Sequence, residues 1–311
     1  MDNDSRESLP STSRGSARPL YAIGDVHGDV ERLLKLLVAH DIIETTSDTF
    51  RWLKCGIVVV LMGDVLDARA LSEGLGDMAF QGTTSDLWLL EFLMIASRKA
   101  KEAGSDIYAL VGEHEVNNIR LDFDGVSPYH LRDTAARAAY FGPGGNGMRA
   151  LSSVFLTSLV YNRVLYMHAG PPLDMTIEQK ALINKRVSVN MLTDEKHLDA
   201  LASLVRHTQY GSDPTPAQQE ALETMLRRRG AKRLVVGHYF TRGNGVFSGW
   251  GGRVVYTDVG LSRAYMPNAT PESSSLLYDD GDGNLRVLHL DGEARDVPVS
   301  GIAASTSAPP S

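Results

Sequence analysis

The 311-residue chain contains a single cysteine, Cys55, so no disulfide framework can form within it. That usage fits a reducing compartment. No apolar run approaches the roughly 20 residues that a membrane-spanning helix needs. The opening stretch MDNDSRESLPSTSRGSARP lacks the apolar core of a secretory leader, so the expectation is a cytoplasmic protein with no membrane partner. A basic excess is also missing. Lys and Arg number 31 against 38 Asp and Glu, giving a net charge of -7, which argues against nucleic acid as a partner. The short run Arg227, Arg228, Arg229, Lys232, Arg233 reads as the cationic end of a helix, where positive charge suits the dipole. The glycine-rich segment Gly142-Pro143-Gly144-Gly145-Asn146-Gly147 lacks the Lys-Ser/Thr ending of a nucleotide-binding loop, and reads as a substrate-side loop or a turn.

What remains is ordinary in bulk. Hydrophobic residues make up 43% and charged residues 22%, as in soluble globular domains, and the length suits one large α/β domain. Residues 1–18 and 297–311 are rich in Ser, Pro and small residues and read as disordered ends. Residues 19–296 carry no internal repeat and no linker, and read as a single domain.

Within that domain, short apolar runs alternate with helical periodicity. PLYAIGDVHG predicts a strand ending near Ile23 and a helix from about Asp29. GIVVVLMGD predicts a strand buried on both faces, and DLWLLEFLMIASRKAKEAG a helix stopped at Gly104. Trp88, Phe92 and Met94 fall at helical spacing there and are expected in the core. DIYALVGEHE predicts a third strand running into a loop. RALSSVFLTSLVYNRVLYMHAG reads as strand segments with a turn near Tyr161 and Asn162, and AQQEALETMLRRRGAKRLVVGH repeats the helix-strand-loop unit. The end, SSLLYDDGDGNLRVLHLDG, is a hairpin pattern. Early βα alternation with a β-rich end points to a layered α/β sandwich.

Five of these strands end in a loop bearing Asp, His or Glu: Gly24-Asp25-Val26-His27-Gly28, Gly63-Asp64-Val65-Leu66-Asp67, Gly112-Glu113-His114-Glu115, His168-Ala169-Gly170 and Gly237-His238. One strand-end Gly-Asp marks only a turn. Five in series are another matter, because ligands in α/β folds gather beyond the carboxyl ends of strands. Oxygen and imidazole donors suit Mn, Fe, Zn or Mg.

In order and spacing, GDVHG, GDVLD, GEHE, HAG and GH resemble the calcineurin-like metallophosphoesterase superfamily. Within it they look like the phosphoprotein-phosphatase branch, closest to the Shewanella-like phosphatases, as do GEHEVNNI, YFGPGG, AKRLVVGH and GGRVVYTDVGLSRAY. The resemblance covers roughly residues 21 to 265. It implies a four-layer β-sandwich flanked by helices (an α/β, or α+β, class), with two divalent metal ions at the sheet edge. Asp25 and His27 would bind the first ion, Asp64 would bridge, and Glu113, His168 and His238 would complete the second. His114 would be the general acid, oriented by Asp67, with attack by a hydroxide bridging the ions. The implied substrates are phosphomonoesters, on protein Ser, Thr or Tyr or on a small ester; related scaffolds also hydrolyse nucleotide or dinucleotide polyphosphates.

Two positions depart from the family pattern. Its Gly-Asn-His-Glu is Gly112-Glu113-His114-Glu115 here, which replaces an amide ligand by a carboxylate. Its Arg after the Asp67 position is Ala68, with Arg69 one place late; Arg120 and Arg149 are the other candidates for binding substrate phosphate. Both departures suit a slowed enzyme, or a phosphatase fold retained for binding. The preserved Asp25, His27, Asp64, His168, His238, His114 and Asp67 speak for catalysis.

Overall fold

The computed structural model describes residues 17–46, 49–68, 85–128, 131, 133–268 and 270–299. Arg69 and His130 lie outside them. Among the described residues, two main sheets form the body. The first runs, in spatial order, Ala294–Asp296, Leu285–Leu288, Leu276–Asp279, Leu20–Ile23, Val58–Leu61, Asp106–Leu110 and Phe155–Leu156. Its last four strands are mutually parallel, and the hairpin Leu276–Asp279/Leu285–Leu288 joins antiparallel at Leu20–Ile23. The second sheet runs Phe247–Gly249, Val254–Tyr256, Arg233–Val236, Val164–Tyr166 and Leu159–Tyr161, with the three central strands parallel. A two-stranded pair, Ile43–Thr45 with Phe50–Trp52, stands apart.

The sequence explains the sheets' placement. Leu20–Ile23 and Val58–Leu61 are buried at every position, as continuous apolar runs require when both faces are covered. The sheets meet face to face: the Tyr166 hydroxyl of the second donates to Asp279 Oδ2 of the first at 3.1 Å. Helices Val30–Ala39, Ser85–Glu102 and Pro216–Arg228 form at the expected places. Asp29 caps the first by accepting from the Arg32 N–H, and Thr215 with Gln218 makes a capping box on the third. Arg227 and Arg228 occupy that helix's last turn, as their charge predicts. Phe92 is buried in the core, with Trp88 stacked on it and Met94 packed beside it.

Two segments differ from the pattern reading. GEHE does not enter a loop but opens a helix, Glu113–Ile119. Gly112 is its N-cap, and the Glu115 carboxylate folds back onto the Gly112 N–H at 2.8 Å. The stretch before Phe155 is also helical, Asn146–Val154, where strand was expected. The glycine-rich segment is the hinge between that helix and Thr134–Phe141: a turn, with Gly142 capping one helix and Gly145 opening the next. Arg18, inside the expected N-terminal tail, belongs to the fold, bonding the Gly104 carbonyl at 2.9 Å and pairing with Asp106.

Candidate metal centre

Every predicted ligand leaves the carboxyl end of a parallel strand, and the parallel sets of the two sheets open toward one edge. The loops there turn sharply. His27, Asp64, Asp67 and His238 all adopt left-handed backbone (φ 45, 46, 62 and 62°), a conformation costing about 1 kcal/mol or more per residue. Glu115 holds much of this together. Its Oε2 accepts from the Asp64 and Gly112 N–H groups at 3.0 and 2.8 Å, and its Oε1 from those of Val65 and Leu66 at 2.9 and 3.0 Å. Backbone bonds from His27 N and Gly28 N to Asp64 O and Val65 O tie the first loop to the second. Gly112 is required by close approach, since a Cβ there would stand 2.2 Å from Asp64 Oδ1.

Donor atoms of Asp64, Glu113, His168 and His238 lie within 4.8 Å of one another, as do those of His27, Asp64 and His114, with Asp64 shared. Glu113 Oε2 stands 2.8 Å from His238 Nδ1 and 3.9 Å from His168 Nε2. Asp25 falls in neither group. It is buried behind them, its oxygens accepting from the His238 N–H at 3.2 and 3.0 Å. His168 is oriented by Nδ1, 2.9 Å from the Met62 carbonyl, which leaves Nε2 toward Asp64. His168 Nε2 and His238 Nε2 are buried without a well-aligned hydrogen bond. Buried polar atoms are normally satisfied. Two such nitrogens converging beside the Glu113 and Asp64 carboxylates fit a divalent cation.

The electrostatics agree. Burial pushes the Asp64 carboxyl up, but His168, His114 and His27 outweigh it and hold Asp64 well below the usual range. Burial and Asp64 likewise push Glu113 up, yet contacts with His168 and His238 bring it down to about 2. Asp25 moves the other way, raised by burial and by Asp258; burial raises Asp258 itself to about 6. Asp25 and Asp258, held up by burial and by neighbouring carboxylates, fit a site that a cation would complete.

Beside the cluster, His114 Nδ1 lies 2.5 Å from Asp67 Oδ2, and its Nε2 is 3.8 Å from Asp64 Oδ2. Burial works against a charge on His114, but Asp64 and Asp67 raise it to about 9. Tyr265 stacks on His27, ring centroids 4.8 Å apart. The predicted phosphate-binding arginines fare less well. Arg120 is ion-paired with Asp199, Arg149 is exposed on helix Asn146–Val154, and Arg69 is among the undescribed residues.

A sequence profile of the calcineurin-like phosphoesterases matches residues 18–241. The chain belongs to the calcineurin-like phosphoesterase family. It is 30% identical to Shewanella-like protein phosphatase 2 of Arabidopsis thaliana over 153 residues, 49% of this chain and 34% of that protein, so the match spans about a third of the relative's length. An uncharacterized protein of Schizosaccharomyces pombe is 24% identical over 265 residues, 79% of this chain and 74% of its own. Among solved structures, the cold-active protein-tyrosine phosphatase of a psychrophilic Shewanella species superposes with a TM-score of 0.64 at 22% identity. That alignment covers 90% of this chain and 80% of that one, and shows a shared fold. A serine/threonine phosphatase of Saccharomyces cerevisiae superposes at 0.50 with 16% identity, covering 91% and 81%. The family is one of hydrolases that use divalent metal, and the donor cluster is consistent with that use. Among the described residues, no helix is long and apolar enough to cross a membrane.

Sequence reasoning gave no role to Glu115, Asp258, Asn118, Asp86 or Arg137. Glu115 and Asn118 lie in the GEHEVNNI motif and Asp258 in GGRVVYTDVGLSRAY, so these three had a signal in the resemblance, while Asp86 and Arg137 are met only in three dimensions.

Proposed function

We propose that residues 19–296 form a metal-dependent phosphomonoesterase acting on phosphorylated Ser, Thr or Tyr of proteins. In this reading, Asp25, His27, Asp64, Glu113, His168 and His238 hold two divalent cations, with Mn, Fe, Zn and Mg all compatible with the donors. When bound, such ions supply a nucleophile at neutral pH and neutralise phosphate charge. The rest of the chemistry falls to the chain's own side chains. His114 gives the proton from Nε2 to the leaving oxygen, while Asp67 at Nδ1 fixes the ring and favours its charged form. The observation that carries the reading is this pair: a buried His–Asp contact of 2.5 Å whose free nitrogen faces the edge where Asp64 and Glu113 converge.

Protein substrates are favoured over free nucleotides by the protein-phosphatase names of the relatives. Arg206 joins the candidates for phosphate contact. It is exposed and donates to the Asn117 amide oxygen on the helix of Glu113 and His114, whereas Arg120 is ion-paired with Asp199.

The test is metal content per chain, together with turnover of p-nitrophenyl phosphate, phosphotyrosine and phosphoserine peptides, and a dinucleotide polyphosphate, each with added Mn. Manganese-dependent turnover of the monoesters is expected, with His114→Asn costing the phosphoserine peptide far more than p-nitrophenyl phosphate. Preference for the polyphosphate would move the enzyme to the nucleotide class. Absence of both bound metal and turnover would leave a phosphatase fold that binds a partner.

A further inference from the structure

We propose that Arg137 is a positioning residue for the His114–Asp67 pair, locking the Asp67 carboxylate so that His114 Nε2 keeps its aim. The inference rests on the reading above that His114 is the acid.

Arg137 sits on helix Thr134–Phe141, 70 residues from Asp67 in sequence, and is buried. Its guanidinium lies between the rings of Phe123 and Phe141, with centroids 5.7 and 5.6 Å away. Two of its three nitrogens are aimed at acceptors, and Nη1 is buried without a hydrogen-bond partner. Nε donates to Asn118 Oδ1 at 2.7 Å, and Nη2 donates to Asp67 Oδ1 at 3.1 Å and Asp86 Oδ2 at 2.7 Å. Asn118, oriented this way, donates from Nδ2 to Asp67 Oδ1 at 2.7 Å and to the His114 carbonyl at 2.8 Å. Asp86 accepts the Asp67 N–H at 3.2 Å. Asp67 Oδ1 therefore receives two side-chain donors, and Oδ2 is left for His114 Nδ1.

The division of labour between the two oxygens matters because a carboxylate's terminal torsion is broad and two-fold. With only the imidazole to hold it, Asp67 could rock about that torsion and carry the ring along. Two donors on Oδ1 remove the freedom. Gly125 closes the other side: a Cβ there would lie 2.7 Å from Asp67 Oδ2 and 2.9 Å from His114 Nδ1, so backbone rather than water abuts the pair. Charge requires the arginine as well. Asp67 and Asp86 are both fully buried, and the Arg137 guanidinium places its positive charge against both carboxylates, at 3.1 and 2.7 Å. Lysine would supply the charge but not the planar fork.

Were Arg137 only a neutraliser of buried carboxylate, its loss would slow every substrate alike or unfold the chain. A positioning role makes the loss depend on how badly the leaving group needs a proton. General acids contribute about 10²–10⁴-fold. For Arg137→Met we expect turnover of phenyl phosphate, a basic leaving group, to fall about 30-fold, and that of p-nitrophenyl phosphate less than about threefold. KM and bound metal per chain should stay unchanged. Arg137→Lys should recover part of the loss, and Asn118→Ala should reproduce its leaving-group dependence without touching the arginine, which keeps the test open if Arg137→Met does not fold. Combined with His114→Asn, the Arg137 change should add nothing. A second readout is spectroscopic: the metal-free protein should show a far-downfield Nδ1–H proton resonance that is lost in Arg137→Met. Equal losses across the substrate series, or additivity with His114→Asn, would overturn the proposal. If His114→Asn itself shows no leaving-group dependence, the acid reading fails and takes this inference with it.

Discussion

Glu113→Asn restores the amide that related phosphatases carry, and its effect can be worked from charge. In the cage as proposed, Asp25, Asp64 and Glu113 contribute three negative charges against four positive from two divalent ions; with asparagine the count is two against four. A phosphate group binding about 5 Å away would feel one more positive charge, worth up to roughly 3 kcal/mol at an effective dielectric of about 20. Partial screening by the neighbouring histidines reduces this, so the expected gain in kcat/KM is about tenfold or more. The structure adds a cost. Glu113 Oε2 stands 2.8 Å from His238 Nδ1, and this contact would be lost with the carboxylate. Metal affinity should therefore fall while turnover at saturating metal rises. The assay is kcat/KM for p-nitrophenyl phosphate across a Mn titration, with the Mn affinity measured separately by calorimetry. Lower turnover at saturating Mn would refute the charge argument and mark Glu113 as a ligand to which the rest of the site is adapted.

Three further outcomes follow from named contacts. Glu115→Gln keeps one oxygen for two of the four backbone N–H groups and turns an NH2 against the other two; at about 1.5–3 kcal/mol per charged bond and some relaxation, a loss of about 2–4 kcal/mol is expected in denaturant unfolding. An unchanged midpoint would mean that the loops hold themselves. His40 is lowered to about 4 by burial and by Lys54, so the folded chain leaves it neutral while the unfolded chain protonates it near 6.5. Stability should thus be full above pH 6.5 and fall as pH drops toward 4, by about 2 kcal/mol after allowance for screening; His40→Gln should flatten that slope, and parallel curves would remove His40 as its source. Finally, chelation should lower the melting temperature and Mn should raise it with the logarithm of its concentration, since metal binds the folded cage alone. A melting temperature indifferent to both would count against the cage.

The sequence was informative where chemistry is local. Asp25, His27, Asp64, Glu113, His168 and His238 each follow an apolar strand by a few residues, and the strand's period fixes where its loop emerges. The helices with capping residues, Val30–Ala39 and Pro216–Arg228, were legible for the same reason. Legibility failed where one residue answers to two demands. GEHE looked like a loop because a strand ran into it, yet Glu115 is both a helix-capping residue and the acceptor for a loop 50 residues earlier. Asn146–Val154 looked like strand because its Leu151 and Val154 precede a strand directly, and burial against helix Ser85–Glu102 outweighs that local signal.

The same reasoning bears on where this site is vulnerable. The proposed metal ligands come from five strand ends, with Asp25 and His27 sharing one loop and Glu113 opening a helix, whereas Asp67, His114, Asn118, Arg137 and Asp86 form one closed circuit of hydrogen bonds drawn from four segments. Losing one of several metal ligands weakens binding that added metal can restore. Losing one member of a buried polar circuit leaves its neighbours unsatisfied in low dielectric, and nothing in solution replaces it. Activity lost in the cage should thus be partly recoverable with metal, and activity lost behind His114 should not. A chain of this family that had drifted toward binding alone would have no reason to keep that circuit closed, and here every link of it is made.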